Sequence, residues 1–322
     1  LLKYRSTSWS KSIILLPRYM LFKKSSSCAE ESLNTLLSFF IAMKHTFKIT
    51  FLLLSLFIAA QLIGLFIVQS YVDSRTVIVD GKTQVERSWK DLPYQIERPT
   101  FEEKTAFLPV LFFILVATVI LLIFVKLRLF LLWKFWFFLS VWLCLIIAFG
   151  AFVSDVVAVA LALFFALLKI FRQNVVVHNL TELFIYGGLA AIFVPVFNIF
   201  SISVLLVAIA IYDFIAVHKT KHMVAMAKFQ SASKLFAGLF IPYGKQKTAV
   251  LGGGDIAFPL LFTAVLFHSY GFGALIVTGT TTLALAYLLW KSEQNKFYPA
   301  MPFLATGCFV GYFFLVLLFA AV

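Results

Sequence analysis

FNIFSISVLLVAIAIYDFIAV (residues 197–217) and GGGDIAFPLLFTAVLFHSY (252–270) decide how this chain is read. Each is close to the roughly 20 mostly apolar residues that cross a bilayer as a helix. Each also holds one aspartate, Asp213 and Asp255. A carboxylate within hydrocarbon costs about 3 kcal/mol or more, so an acid in such a segment is by default a functional residue. Two of them in neighbouring segments suggest shared-proton chemistry.

The rest of the chain agrees with a membrane setting. Of 322 residues 62% are hydrophobic and 13% charged, and the mean hydropathy is +1.00. Too little polar surface is left to cover a soluble globule, so the fold class is an all-α polytopic membrane protein. Cys28, Cys144 and Cys308 are far apart and in no metal-type spacing, which argues against a disulfide framework or a zinc site. The net charge of +13 reads as basic residues gathered in cytoplasmic loops rather than as nucleic-acid binding.

Apolar windows predict about nine spans, near 49–71, 105–125, 129–149, 152–171, 180–195, 197–217, 252–270, 272–290 and 299–320. With the N-terminus cytoplasmic, the inner segments hold Lys44, Lys48, Lys126, Arg128, Lys169, Arg172, Lys219, Lys221, Lys228, Lys234, Lys245, Lys247, Lys291 and Lys296. The outer turns near 150, 196 and 271 hold no Lys or Arg. This positive-inside pattern puts the C-terminus outside. Residues 1–42 lack periodicity and read as a non-native or poorly ordered extension, with Met43 as the expected start, leaving 43–322 as one transmembrane domain. The external segment 72–104 has mixed charge and suggests a hairpin around Asp80-Gly81. The basic connection 218–250 reads either as an amphipathic gate over the site or as a plain linker.

Asp213 is six residues, about 9 Å of helix, from Lys219, and Asp255 is eight, about 12 Å, from Lys247. Antiparallel neighbours would therefore bring the two carboxylates to a similar depth. Two adjacent carboxyls do not both ionise comfortably: one keeps its proton while the other acts as a base toward water. Such a pair can hydrolyse a peptide bond with no cofactor and no metal. Gly252, Gly253 and Gly254 weaken the helix by roughly 1 kcal/mol each relative to Ala. They suit either close backbone approach beside the acid or a small-residue packing face.

Tyr212-Asp213 and Gly252-Gly253-Gly254-Asp255 resemble the YD and GxGD signatures of the presenilin and signal peptide peptidase families of intramembrane aspartyl proteases. Pro299-Ala300-Met301 resembles the family's Pro-Ala-Leu, with Met in place of Leu. The three motifs come in order at the sixth, seventh and ninth spans, and the resemblance covers roughly residues 44–322. It implies Asp213 and Asp255 as the catalytic pair, with Tyr212, Gly252, Gly253, Gly254, Pro299, Ala300 and Met301 supporting the site. The implied substrates are single-span transmembrane proteins met in the lipid, with accessory subunits not required by the sequence and homo-oligomerisation open. A cytoplasmic N-terminus and Pro302 resemble the presenilin branch, Pro259 the peptidase branch. The mixture is similar to a compact microbial, archaeal-type presenilin homologue, which would lie in the cell membrane. Pro299 and Pro302 are expected to keep the start of the ninth span irregular.

Competing readings remain at this level. A proton- or cation-coupled transporter would also place acids in the membrane, although the two halves of the chain show no similarity. Prepilin peptidases share a GxGD motif but resemble GxGDxK, where this chain has Ala257. His218 and His222 lack the Glu of an HExxH metal site. Asp155, His178, Glu182 and His268 read as residues of span ends. The sequon Asn179-Leu180-Thr181 falls on the expected cytoplasmic side.

Overall fold

A computed structural model describes residues 47–320, apart from 80–81, 173, 221–225, 227–228, 231–234, 244–246 and 293–297. The expected extension at 1–42 and the residues His222, Lys221, Lys228, Lys234 and Lys296 lie outside the described residues. Nine α-helices of seventeen residues or more are present among the described residues. They are α1 (Phe47–Ser70), α2 (Phe107–Leu127), α3 (Phe130–Gly150), α4 (Asp155–Phe171), α5 (Val175–Phe193), α6 (Ile199–Ile215), α7 (Gly253–Tyr270), α8 (Leu275–Lys291) and α9 (Met301–Ala320). Seven stretches are long and apolar enough to cross a membrane; one of them, Gly253–Lys291, holds both α7 and α8. At seventeen residues α4 is shorter than those seven.

The helix boundaries have local causes. Asn198 caps α6 in a reciprocal box: its side chain accepts from the Ser201 N–H at 2.8 Å while the Asn198 N–H donates to Ser201 Oγ at 3.1 Å, which satisfies donors that the first turn leaves free. Asn174 does the same for α5 through Val176 N at 2.8 Å. At the end of α2, Arg128 turns left-handed (φ 53°) and donates back to Phe124 and Val125 carbonyls, so α3 begins two residues later.

Packing sorts the helices. The centre belongs to α7, whose Ile256, Leu260, Phe262 and Leu266 are completely buried. They join one core with Leu53 and Phe57 of α1, Leu205 and Leu206 of α6, and Leu304 and Cys308 of α9. By contrast α2 buries only Val110 and Phe124 and exposes Phe112, Phe113, Val119 and Ile123. Such a surface suits lipid, which solvates apolar side chains while the helix satisfies its own backbone.

Two small hairpins complete the fold. Strands β1 (Val72–Val79) and β2 (Lys82–Trp89) pair antiparallel from Val72 opposite Trp89 to Val79 opposite Lys82, the hairpin expected around Asp80-Gly81. Trp89 stacks on His268 near the end of α7, ring centroids 5.1 Å apart. The second hairpin forms in the last part of the connection 218–250, where no strand was expected; Lys221, Met223, Lys228 and Lys234 of the expected amphipathic gate lie outside the described residues. Strands β3 (Gly238–Tyr243) and β4 (Lys247–Gly252) pair from Gly238 opposite Gly252 to Tyr243 opposite Lys247. β4 then runs straight into α7.

Candidate active site

Asp213 lies in the last turn of α6, where the helix gives way to a π-helical stretch over Ala216–Thr220. Only 6% of it is exposed. Its Oδ2 accepts a hydrogen bond from the Met301 N–H at 3.1 Å, and the Ala300 backbone also faces it. Ala300 is the cap of α9, since its carbonyl accepts from Phe303 and Leu304, both at 3.1 Å. Met301 is thus the first residue of α9, and its N–H is one of the donors that a helix N-terminus leaves unpaired. Asp213 completes that end of α9 and sits at the positive pole of its dipole.

Asp255 is held in a related way. It is the third residue of α7, half-buried, with the Gly252 backbone facing its carboxylate. A Cβ on Gly252 would stand 3.1 Å from its Oδ2. A carboxylate at this position reaching back to the cap residue is the acidic half of a capping box. The two carboxylates are within electrostatic reach of one another, and His218 is within reach of Asp213. Asp213 comes from α6, Asp255 from α7 and the donor to Asp213 from α9. The structure therefore gathers the three sequence motifs at one place.

The supporting residues separate. Gly252 ends β4 and is not helical, while Gly253 and Gly254 open α7. At Gly253 a Cβ would stand 3.1 Å from the Tyr186 hydroxyl, a tight approach that glycine relieves. Gly254 is exposed, and a Cβ would meet only the Phe258 ring at 3.6 Å. The Tyr212 hydroxyl donates to Thr118 Oγ1 on α2 at 3.3 Å. Pro299 is buried just ahead of α9. The expected irregularity is confined to that side: Pro302 stands in the first turn, where no N–H is needed, and α9 is regular from Met301. Pro259, inside α7, has no N–H for the carbonyl of Asp255 and so loosens the helix beside the acid.

Asp155, His178 and His268 stand in the first or last turns of their helices, as expected, but Glu182 is internal. Glu182 on α5 is 1% exposed and pairs with Lys169 of α4, itself 4% exposed, at 2.7 Å. Lys169, counted among the bases marking the cytoplasmic end, does stand in the last turn of α4 but is buried there and paired. It also donates to Thr181 Oγ1 at 3.1 Å and lies 3.3 Å from His178 Nδ1. The Tyr186 hydroxyl donates to the other Glu182 oxygen. Gln61 of α1, 1% exposed, donates to the Ile256 carbonyl at 3.0 Å, one residue past Asp255. The signal for the α5 cluster was its spacing, 178, 182 and 186, one side chain per turn. Among the described residues no group of His, Cys, Asp and Glu is arranged to hold a metal ion. A recess of about 730 Å³ lined by Tyr71, Asp91, Pro93 and Asp155 includes neither aspartate of the pair.

Comparison with known proteins bears on this geometry. The profile of the family described as "Signal-peptide peptidase, presenilin aspartyl protease" matches residues 91–322. Two solved structures of a presenilin family intramembrane aspartate protease share the fold. One, in space group C222, is 19% identical with a TM-score of 0.58, over 84% of this chain and 99% of its own. The other, in P2, is 20% identical with a TM-score of 0.56, over 83% and 96%. No curated protein matches the chain.

Proposed function

The chain belongs to the signal-peptide peptidase, presenilin aspartyl protease family, and from that premise we propose that it is an intramembrane aspartyl endopeptidase cutting single-span transmembrane proteins with Asp213 and Asp255. The observation that supports the reading is that Asp213, bonded to the N-terminus of α9, lies within electrostatic reach of Asp255 at the N-terminus of α7. One carboxylate takes a proton from water as it attacks the peptide carbonyl; the other, protonated, gives its proton to the developing oxyanion or the leaving amine. The proton passes between them, so the pair is ready for another cycle without a cofactor.

An intact substrate helix hides its carbonyls, so the substrate must be extended where it is cut. The second hairpin supplies a template. The Phe240 N–H and carbonyl both point away from β4, toward Asn179. Phe240 and its partner Val250 are therefore a non-hydrogen-bonded pair, and Val250 and Thr248 direct their backbone groups to the outer edge of β4. Among the described residues no strand pairs there. An extended substrate segment adding to that edge would run toward Gly252 and Asp255.

The same reading assigns nine membrane crossings, with the N-terminus and the aspartates toward the cytoplasm, in a cell membrane, and no obligatory accessory subunit. Purified protein in liposomes, incubated with a single-span substrate, is the test. Products mapped by mass spectrometry should show cuts within the span that vanish in Asp213→Ala and Asp255→Ala. Cuts that persist in both variants would sink the proposal.

A further inference from the structure

His178, Asn179, Glu182 and Tyr186 have no part in the reaction described above. On α5 they fall within about 100° of arc and about 12 Å of length, so they form one stripe. Each of them reaches the hairpin or the start of α7, directly or through the next. Asn179 Nδ2 donates to the Phe240 carbonyl at 2.7 Å, and its Oδ1 accepts from the Phe240 N–H at 2.9 Å. These are the two hydrogen bonds that a neighbouring strand would make to one residue. Two residues back along β3, His178 Nε2 lies 2.8 Å from the Gly238 carbonyl. A carbonyl only accepts, so Nε2 carries the hydrogen and Nδ1 is the acceptor facing Lys169 Nζ at 3.3 Å. Lys169 leads on to Glu182 at 2.7 Å, Glu182 to the Tyr186 hydroxyl, and Tyr186 to Gly253.

The stripe thus holds both ends of the path to Asp255: β3 at Gly238 and Phe240, and the junction of β4 with α7 at Gly253. Gly238 itself adopts φ 143°, and a Cβ there would meet the Leu251 carbonyl at 2.2 Å, so the start of β3 accepts little else. An isolated two-stranded hairpin is marginal, and a strand slips in register unless something fixes it. We propose that Asn179, with His178 and the Lys169–Glu182–Tyr186 chain behind it, is a strand mimic: it occupies the outer edge of β3, fixes the hairpin's register and leaves β4 as the edge that sets which substrate bond faces Asp255. These are positioning residues acting through β3 and β4. The inference rests on the protease reading.

The test uses the full chain in liposomes with one single-span substrate of known sequence, reading rate and the exact bonds cut, together with amide exchange over 238–243. Asn179→Leu removes both hydrogen bonds while keeping the side chain's branching and number of heavy atoms. It should speed exchange in 238–243, lower kcat/KM about tenfold and spread the cuts to bonds two residues away, the period of a strand. Asn179→Asp, which keeps only the acceptor for Phe240 N–H, should fall between. If Asn179→Leu does not accumulate, Asn179→Asp and His178→Gln carry the same readouts. Unchanged cut positions, with or without a slower rate, would overturn the proposal and leave Asn179 a fold support. Unchanged exchange over 238–243 would overturn it independently of activity. A wild type that cuts no span while this exchange difference appears would instead count against the protease reading.

Discussion

Two acidic sites lie in the same helical bundle, and their carboxylates are matched differently. Glu182 is matched by Lys169 at 2.7 Å and by the Tyr186 hydroxyl. Asp213 and Asp255 have no Lys or Arg at ion-pairing distance among the described residues; backbone groups at the starts of α9 and α7 face them instead. A lysine locks a carboxylate into one charge state, because removing either partner leaves an unmatched buried charge. Helix-terminal N–H groups carry only about half a charge, so a carboxylate held by them remains free to exchange a proton. The fold places its fixed cation at Glu182 and withholds it at the pair to which the proposed reaction assigns a moving proton.

The largest effect should come from the unmatched acids. Asp213→Ala and Asp255→Ala are each expected to lower cleavage about a thousandfold or more with only a small loss in thermal midpoint, about 1 kcal/mol for the lost helix cap, since neither acid supports the fold through an ion pair. A strongly lowered midpoint in either variant would erase the contrast with Glu182. Next in size is the ion pair. Lys169→Met alone should destabilise by about 3–5 kcal/mol, because Glu182 is left buried and unmatched, while Lys169→Met with Glu182→Leu should recover most of that. Unfolding in detergent measures both, and equal stability of single and double variants would show that Glu182 does not need its cation. Smallest is the glycine pair beside Asp255. Gly253→Ala forces a Cβ to 3.1 Å from the Tyr186 hydroxyl and should lower stability, whereas Gly254→Ala, which meets nothing closer than 3.6 Å, should raise it by up to about 1 kcal/mol through helix propensity. Reversed thermal midpoints would mean that Gly253 is not held against α5.

The acid pair was legible in the sequence because a lone Asp in an apolar run stands out regardless of tertiary structure, and because distance to the flanking lysines gives depth. Helix positions were legible for the same reason: 20-residue apolar windows carry their own length rule. The Lys169–Glu182 pair was not, since the partners sit on different helices and each stood near a span end, where an interfacial reading needs no partner. The β3–β4 hairpin was missed although its buried residues alternate, Leu239 with Ile241 and Ala249 with Leu251. Six-residue strands, one of them holding Pro242, carry too short an alternation to be told from a linker in so apolar a chain. Met301's role was half visible: Pro299-Ala300-Met301 marked the place, but the contact is made by a backbone N–H, which no side-chain pattern encodes.

The central claim, that Asp213 and Asp255 act as one unit, is tested most directly by single-turnover cleavage rates for Asp213→Asn, Asp255→Asn and the double variant on one substrate. Residues that act as a unit are strongly non-additive. The account predicts that each single variant falls to background and the double is no slower than either. A single variant with substantial residual rate, slowed further by the second substitution, would contradict it.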